Sequence, residues 1–445
     1  MKRSSAFAFI AAASLALLPA CSPEALSNKT AIDYWLWDAN QLPGYEKCSQ
    51  KFMEQNPDIE VRITQMGWND YWTKLTAAFV AESGPDVFTD HVARYPEFQQ
   101  RGVLMPLDDL SAMKDFKSSD YMEGLAEMWI GPDGKRYGVP KDYDTVAIMY
   151  DNKRLAEAGI TPEQLAKATW NPKDGGTFEK IIAHLSVDKN GKRGDEPGFD
   201  PKNVATYGLA ADPTIDYIGQ TNWSVFALST GWTPTDKPVW GTKFNYDDQR
   251  FKDSITWYTG LTKKGFLPSY GEFGEASPAD QQFGSGRAAI AMTGSWMINA
   301  YSRLDGIDLG IAPLPSGPIG HPMSIFNGLG DSISAQTSKP EEAAKWVAFL
   351  GSDACQNIIG EQGVVFPARP AGTQAAIEAF AKRGLDVTPF TDRVKNGETV
   401  RYPLTYNGNA IFSVLRPAFD SIWLGQMDAD GFDSYNEQVT KLMTK

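Results

Sequence analysis

From residue 30 to residue 90 the hydrophobic period of the chain switches back and forth, and this alternation restricts the fold more than any other feature. AIDYWLW reads as a strand, and YEKCSQKFM then brings Tyr45, Cys48, Phe52 and Met53 onto one helical face. IEVRI alternates Ile59, Val61 and Ile63 as a half-buried strand does. DYWTKLTAAFVA turns Trp72, Leu75 and Phe79 inward as a helix, and GPDVFTD is the next short strand, reached through Gly84-Pro85. Strand–helix–strand units in series predict an α/β lobe with a largely parallel sheet. A chain of 445 residues is too long for one ordinary core, so two lobes are expected. The middle is more helical. Thr161-Pro162-x-Gln164 carries a capping signal with proline at the first helical position. Ser277-Pro278 starts another helix, which stops at GSG (284–286) before the strand AAIAM, and SKPEEAAKWVAFL is a third helix start. Residues 188–203 read as a polar surface loop whose acids lack the spacing of a calcium site.

The first twenty residues stand apart from this pattern. Lys2 and Arg3 precede AFAFIAAASLALL, an apolar run too short for a secure membrane span. It ends in LPAC, which resembles a bacterial lipobox with Pro19 in place of the usual small residue. That resemblance implies a signal peptide over 1–20, lipidation of Cys21 and a polar tether over 21–30; an ordinary signal peptide with an incidental Cys21 is the plainer alternative. After export, Cys48 and Cys355 remain. They can pair in an oxidising compartment, or stand as two separately buried thiols.

Several chemistries have no support. A formal net charge of −13 repels a polyanion, which excludes nucleic acid as a partner. His91, His184 and His321 are widely separated and no HExxH or CxxC occurs, so no metal site is expected. No GxSxG, Walker loop or strand-following GxGxxG appears, so neither nucleophilic catalysis nor a bound cofactor is expected. What recurs instead is a mixture of rings and planar polar groups at strand ends. It is present in DYWLWDANQ, DVFTDHVARY, VPKDYDTVAIMYD, DYIGQTNWS, MTGSWMIN and IFNGLGDS. Carboxyl ends of strands line the crevice of open α/β sheets. A sugar presents an apolar C–H face that packs on a ring, and a rim of hydroxyls that carboxylates and amides can bond. The plain alternative at any one position is a core tryptophan or a capping aspartate.

Five stretches in order carry a further resemblance: WLWDANQLPGYEKCSQKFMEQNPDIEVRI, SGPDVFTDHVARYPEFQQRGVLMPLDD, YGVPKDYDTVAIMYDNKRLAEAGI, FGSGRAAIAMTGSW and KPEEAAKWVAFLGSDACQNIIGEQGVVFPARP. The mature chain resembles the solute-binding proteins of bacterial ABC importers, in the large sugar- and oligosaccharide-binding class that includes maltose-binding protein. The resemblance implies an α/β, two-lobed fold with hinge crossovers near 142–144, 312 and 367 and a ligand cleft between the lobes. The first lobe would hold 31–142 plus 313–367, and the second 143–312 plus 368–445. That division puts Cys48 and Cys355 in one lobe, which makes their pairing possible without closing the alternative. Matched by motif, the implied ligand contacts are Trp37, Asp38 and Asn40; Asp90 and His91; Asp142 or Asp144; and Trp296. Trp223, Phe326, Asn327, Tyr406 and Asn407 are placed by position. The implied protein is a monomeric, lipid-anchored receptor outside the cell membrane that hands a carbohydrate to ABC permease subunits. Two other readings stay open: a secreted glycoside hydrolase using a carboxylate pair such as Asp90 and Asp144, and a receptor for a different small solute. Cys21→Ser is expected to release the protein from the membrane fraction on cell fractionation; retention of the variant would contradict lipidation.

Overall fold

The strand at Ser324–Ile333 is buried along its whole length and organises the first of two sheets. A computed structural model describes residues 29–212, 217–270 and 278–443. The leader, Cys21 and Ser277 therefore lie outside the described residues. In chain order the strands are β1 (Thr30–Leu36), β2 (Ile59–Gln65), β3 (Val87–His91), β4 (Val139–Asp144), β5 (Val146–Asp151), β6 (Val187–Asp188), β7 (Val204–Leu209), β8 (Ala288–Gly294), β9 (Leu309–Ala312), β10 (Ser324–Ile333), β11 (Phe366–Pro367) and β12 (Thr399–Arg401). One sheet runs β11-β4-β10-β3-β1-β2 with β12 added beside β10; the other runs β6-β7-β8-β5-β9.

The expected alternation is present. Helix α1 (Leu42–Gln55) buries Tyr45, Cys48 and Phe52, and α2 (Trp68–Val80) buries Trp72, Leu75 and Phe79. They connect β1, β2 and β3, and β1 pairs parallel with both other strands. β10 runs antiparallel between β3 and β4. The chain passes from one sheet to the other within a single residue. Thr145 separates β4 from β5, its carbonyl accepts from Ser295 N, and its hydroxyl donates to Phe390 O at 2.8 Å. The chain returns between β9 and β10. One strand lies outside the division read from the sequence: β12 joins the first sheet although it follows residue 368. Its segment is held along β10 by Ser324 N donating to Glu398 O and Tyr402 N donating to Phe326 O.

Each sheet has an aromatic core. Tyr34, Tyr45, Phe52 and Trp346 pack edge to face on the first. Trp223, Trp232, Tyr246, Phe251 and Phe419 pack on the second. The capping box forms as read, with Gln164 N donating to Thr161 Oγ1 and Thr161 N to Gln164 Oε1. In the polar loop, Asp188 accepts from the backbone of Asn190, Lys192 and Asp200, so its oxygens fold the loop. Among the described residues no cluster of three or more His, Cys, Asp or Glu side chains could hold a metal ion. Cys48 on α1 and Cys355 on the helix Asp353–Gln362 are joined by a disulfide across a sequence separation of 307. A bond closing so long a loop restricts the unfolded chain. Replacing both cysteines by alanine is expected to cost about 2–5 kcal/mol in denaturant unfolding, and free-thiol titration of the denatured, unreduced mature protein is expected to find none. Two titratable thiols would contradict the bond.

Candidate binding site between the sheets

The carboxyl ends of β1, β2, β3 and β4 lie at one end of the first sheet, because these strands share a direction and β10 runs against them. A continuous line of polar groups crosses that end. Ala93 N lies within hydrogen-bonding distance of His91 Nδ1 at 3.0 Å, and on the ring's other side His91 Nε2 lies 3.2 Å from the Asn327 side-chain nitrogen. Asn327 is the register partner of Asp144. Asp144 Oδ1 accepts from Ser295 Oγ at 2.6 Å, and Ser295 belongs to the turn that follows β8 in the second sheet. Side chains from both sheets thus meet where Ser295 bonds Asp144.

Rings flank this line on both sides. Trp37, just past β1, is half-buried and lies 6.5 Å from His91. It meets Trp68 edge to face at 5.1 Å and Tyr71 at 5.2 Å. Tyr402 stands perpendicular to His91 at 6.2 Å. From the second sheet, Trp296 is 38% exposed and folds back over Gly294, where a Cβ would collide with its ring. Asp38 accepts from Asn40 N and Gln41 Nε2, which fixes the loop after β1. Exposed Asn40 in turn accepts from Arg303 Nη1 at 3.5 Å, a second contact between the two sheets' ends.

The floor is polar and buried. Lys141 Nζ donates to Thr89 Oγ1 at 2.9 Å and to Tyr34 OH at 3.3 Å, and sits 4.0 Å from the centre of the Tyr45 ring. Tyr34 OH donates to Asp331 Oδ1 at 2.8 Å. Burial holds Lys141 below the usual lysine value, against the upward pull of Asp331. Burial pushes Asp144 up to about 7, opposed by the Ser295 hydrogen bond and aided by the charge of Asp38. Asp142 is 1% exposed with no partner on either oxygen; burial and then Asp144 hold it well above the carboxylate range. Burial, then nearby Arg94, lowers His91 to about 3, so its imidazole is neutral.

Of the residues singled out from the sequence, Trp37, Asp38, Asn40, His91, Asp144, Trp296 and Asn327 come together here. Others do not line an opening. Trp223 is fully buried and stacked on Phe419 at 5.5 Å, so it belongs to the second sheet's core and not to a ligand surface. Phe326 is 1% exposed against Tyr143, on a strand buried on both faces. Asp90 is also sealed, accepting from His91 N and Ser332 Oγ, and Asp142, on the far side of β10, is likewise buried. Half-buried Tyr406 tilts on Trp240 at 5.3 Å. Asn407 adopts a left-handed φ of 54° and bonds Leu442 O and Gln100 in a groove beside the helix Tyr95–Gln100. Trp68 and Tyr402 were not singled out by the sequence. Trp68 continues the i, i+4 stripe of α2 that reads as core.

The chain matches the family described as bacterial extracellular solute-binding protein over residues 47–382. It belongs to that family. The maltodextrin-binding protein MdxE of Bacillus subtilis is 27% identical over 385 residues, covering 84% of this chain and 82% of that protein. A galactooligosaccharide-binding protein of the same organism is 24% identical, covering 79% and 77%. An ABC substrate-binding protein from Listeria monocytogenes, solved in complex with cycloalternan, shares the fold with a TM-score of 0.76, 20% identity and coverage of 93% and 99%. The sequence resemblance to the sugar-binding class of ABC importers is thereby met, as is the two-lobed α/β fold. Both of these relatives are named as binding proteins. The family is extracellular, in keeping with an exported chain. Among the described residues no helix is long and apolar enough to cross a membrane.

Burial makes a prediction at Asp90, whose carboxyl is pushed from 3.8 to about 8. Between those values the folded state keeps a proton that the unfolded chain releases, so stability falls as pH rises through that window. Asp90→Asn removes this loss. In urea unfolding the variant is expected to gain on the wild type between about pH 5 and about pH 8; a difference that stays constant with pH would contradict the sealed, protonated acid.

Proposed function

We propose that this protein is the substrate-binding component of an ABC sugar importer, holding an oligosaccharide between its two sheets and delivering it to permease subunits. The observation that carries the reading is the polar row His91, Asn327 and Asp144 across the end of the first sheet, tied to the second sheet by the Ser295–Asp144 hydrogen bond and flanked by indoles from both. Rings take the C–H face of a sugar, while Asp38, Asp144 and Asn327 offer bonds to its hydroxyls. Closure about the crossovers near residues 145 and 312 brings the halves of the site onto the ligand. The names of the relatives, a maltodextrin-binding and a galactooligosaccharide-binding protein, support the ligand class. Lipid on Cys21 keeps the receptor, acting as a monomer, at the outer face of the cell membrane. No cofactor or covalent step is required.

Trp296 is the residue whose loss separates binding from folding, because it is exposed and yet fixed against Gly294. Trp296→Ala is expected to weaken sugar binding by about 1–3 kcal/mol in calorimetric titration with an unchanged unfolding midpoint. Unaltered affinity would remove the stacking role.

A further inference from the structure

One strained turn on the second sheet's side has no role so far. Trp232, part of that sheet's aromatic core, donates from Nε1 to Asn245 O at 2.8 Å and closes the base of a hairpin. Within it Thr235 bridges antiparallel to Phe244, and Asp236 accepts from Thr242 N and Lys243 N at 2.7 and 3.1 Å. Half-buried Trp240 sits in the turn with a φ of 51°. A bulky side chain seldom adopts this left-handed conformation, which persists where contacts beyond the turn fix it.

Those contacts lie on the first sheet's side. Trp240 Nε1 donates to Ile130 O at 2.9 Å, and its ring lies 6.0 Å from Tyr95, just past β3. Ile130 belongs to a second hairpin, bridged to Arg136, whose Trp129 packs on Tyr95 at 5.2 Å. Gly241 N donates to Leu404 O at 3.2 Å, in the segment that leads from β12 to the helix Gly408–Trp423. Two more bonds join the same rim: Asn409 Nδ2 donates to Glu97, and Asn407 N to Gln100 Oε1 at 3.3 Å. Trp240 thus ties the two sheets by a bond separate from that of Ser295 to Asp144, and both are made in one arrangement of the sheets.

We infer that Trp240 is a latch between the two lobes, which holds them together independently of ligand and so sets the share of molecules whose binding site is assembled. The inference goes beyond the sugar-binding reading and shares with it only the lobe closure. Apparent affinity scales with the fraction of molecules in the competent arrangement. A residue that touches no sugar therefore changes the affinity for every sugar by one factor.

Small-angle X-ray scattering of the ligand-free mature protein, paired with calorimetric titration of malto-oligosaccharides and galacto-oligosaccharides, tests the latch. Circular dichroism first shows that each variant is folded. The ligand-free wild type is expected to match the radius of gyration of this structure, and Trp240→Ala to exceed it until a saturating sugar restores it. The same variant is expected to bind every sugar about tenfold more weakly, whatever its length. Trp240→Phe, which keeps a ring beside Tyr95 and lacks the N–H, is expected to fall between the two in both measurements. Equal ligand-free radii for the wild type and both variants overturn the inference; weaker binding at an unchanged radius makes Trp240 a ligand contact instead. Failure of every glycan to bind the wild type overturns the sugar-binding reading and leaves the radius comparison to decide the latch.

Discussion

The hydrogen bond from Ser295 to Asp144 sits where the two sheets are tied together, and the geometry of the site follows from it. β4 and β5 are divided only by Thr145, so the end of one sheet's strand is the beginning of the other's. β8 pairs antiparallel with β5, and Gly294 lies opposite Val146. Ser295 and Trp296 therefore emerge at the crossover itself. On the sugar-binding function proposed above, rings and acids from both halves approach the ligand at this crossover.

Beneath that point lies a polar interior that is costly to bury unless its members satisfy one another. Lys141, Thr89, Tyr34 and Asp331 do so through direct hydrogen bonds. Asp142 does not, and its burial holds its pKa well above the usual carboxylate range. The row of polar side chains at the strand ends thus rests on a buried, hydrogen-bonded polar layer. Trp37, Trp68 and His91 are packed against one another above it, so the first sheet's half of the site is preorganised.

The parts of this arrangement that follow strand ends were legible in the sequence. Trp37 and Asp38 follow β1, His91 ends β3, Asp144 ends β4 and Trp296 follows β8, and position after a strand in an α/β sheet is enough to aim a residue at the crevice. Composition alone misled. Gln220, Asn222 and Trp223 have the same mixture, yet Trp223 precedes a short helix, Ser224–Leu228, and its ring is covered by Phe419 from the helix Gly408–Trp423, a contact that no local pattern shows. Phe326 and Asn327 are neighbours on a strand buried on both faces, where successive side chains point opposite ways, so only the second reaches His91. Trp68 failed in the other direction. It shares the helical stripe of Trp72, Leu75 and Phe79, but that stripe runs past the edge of the sheet, and its first ring is left in the open.

The central claim is that indoles and acids from two sheets close on one carbohydrate chain. A crystal structure of the mature protein with a bound linear oligosaccharide tests it most directly. The account predicts a sugar ring on the face of Trp296 and hydroxyls bonded to Asp144 and Asn327. A glycan seated elsewhere on the molecule, with Trp296 and the Asp144 line untouched, would contradict it.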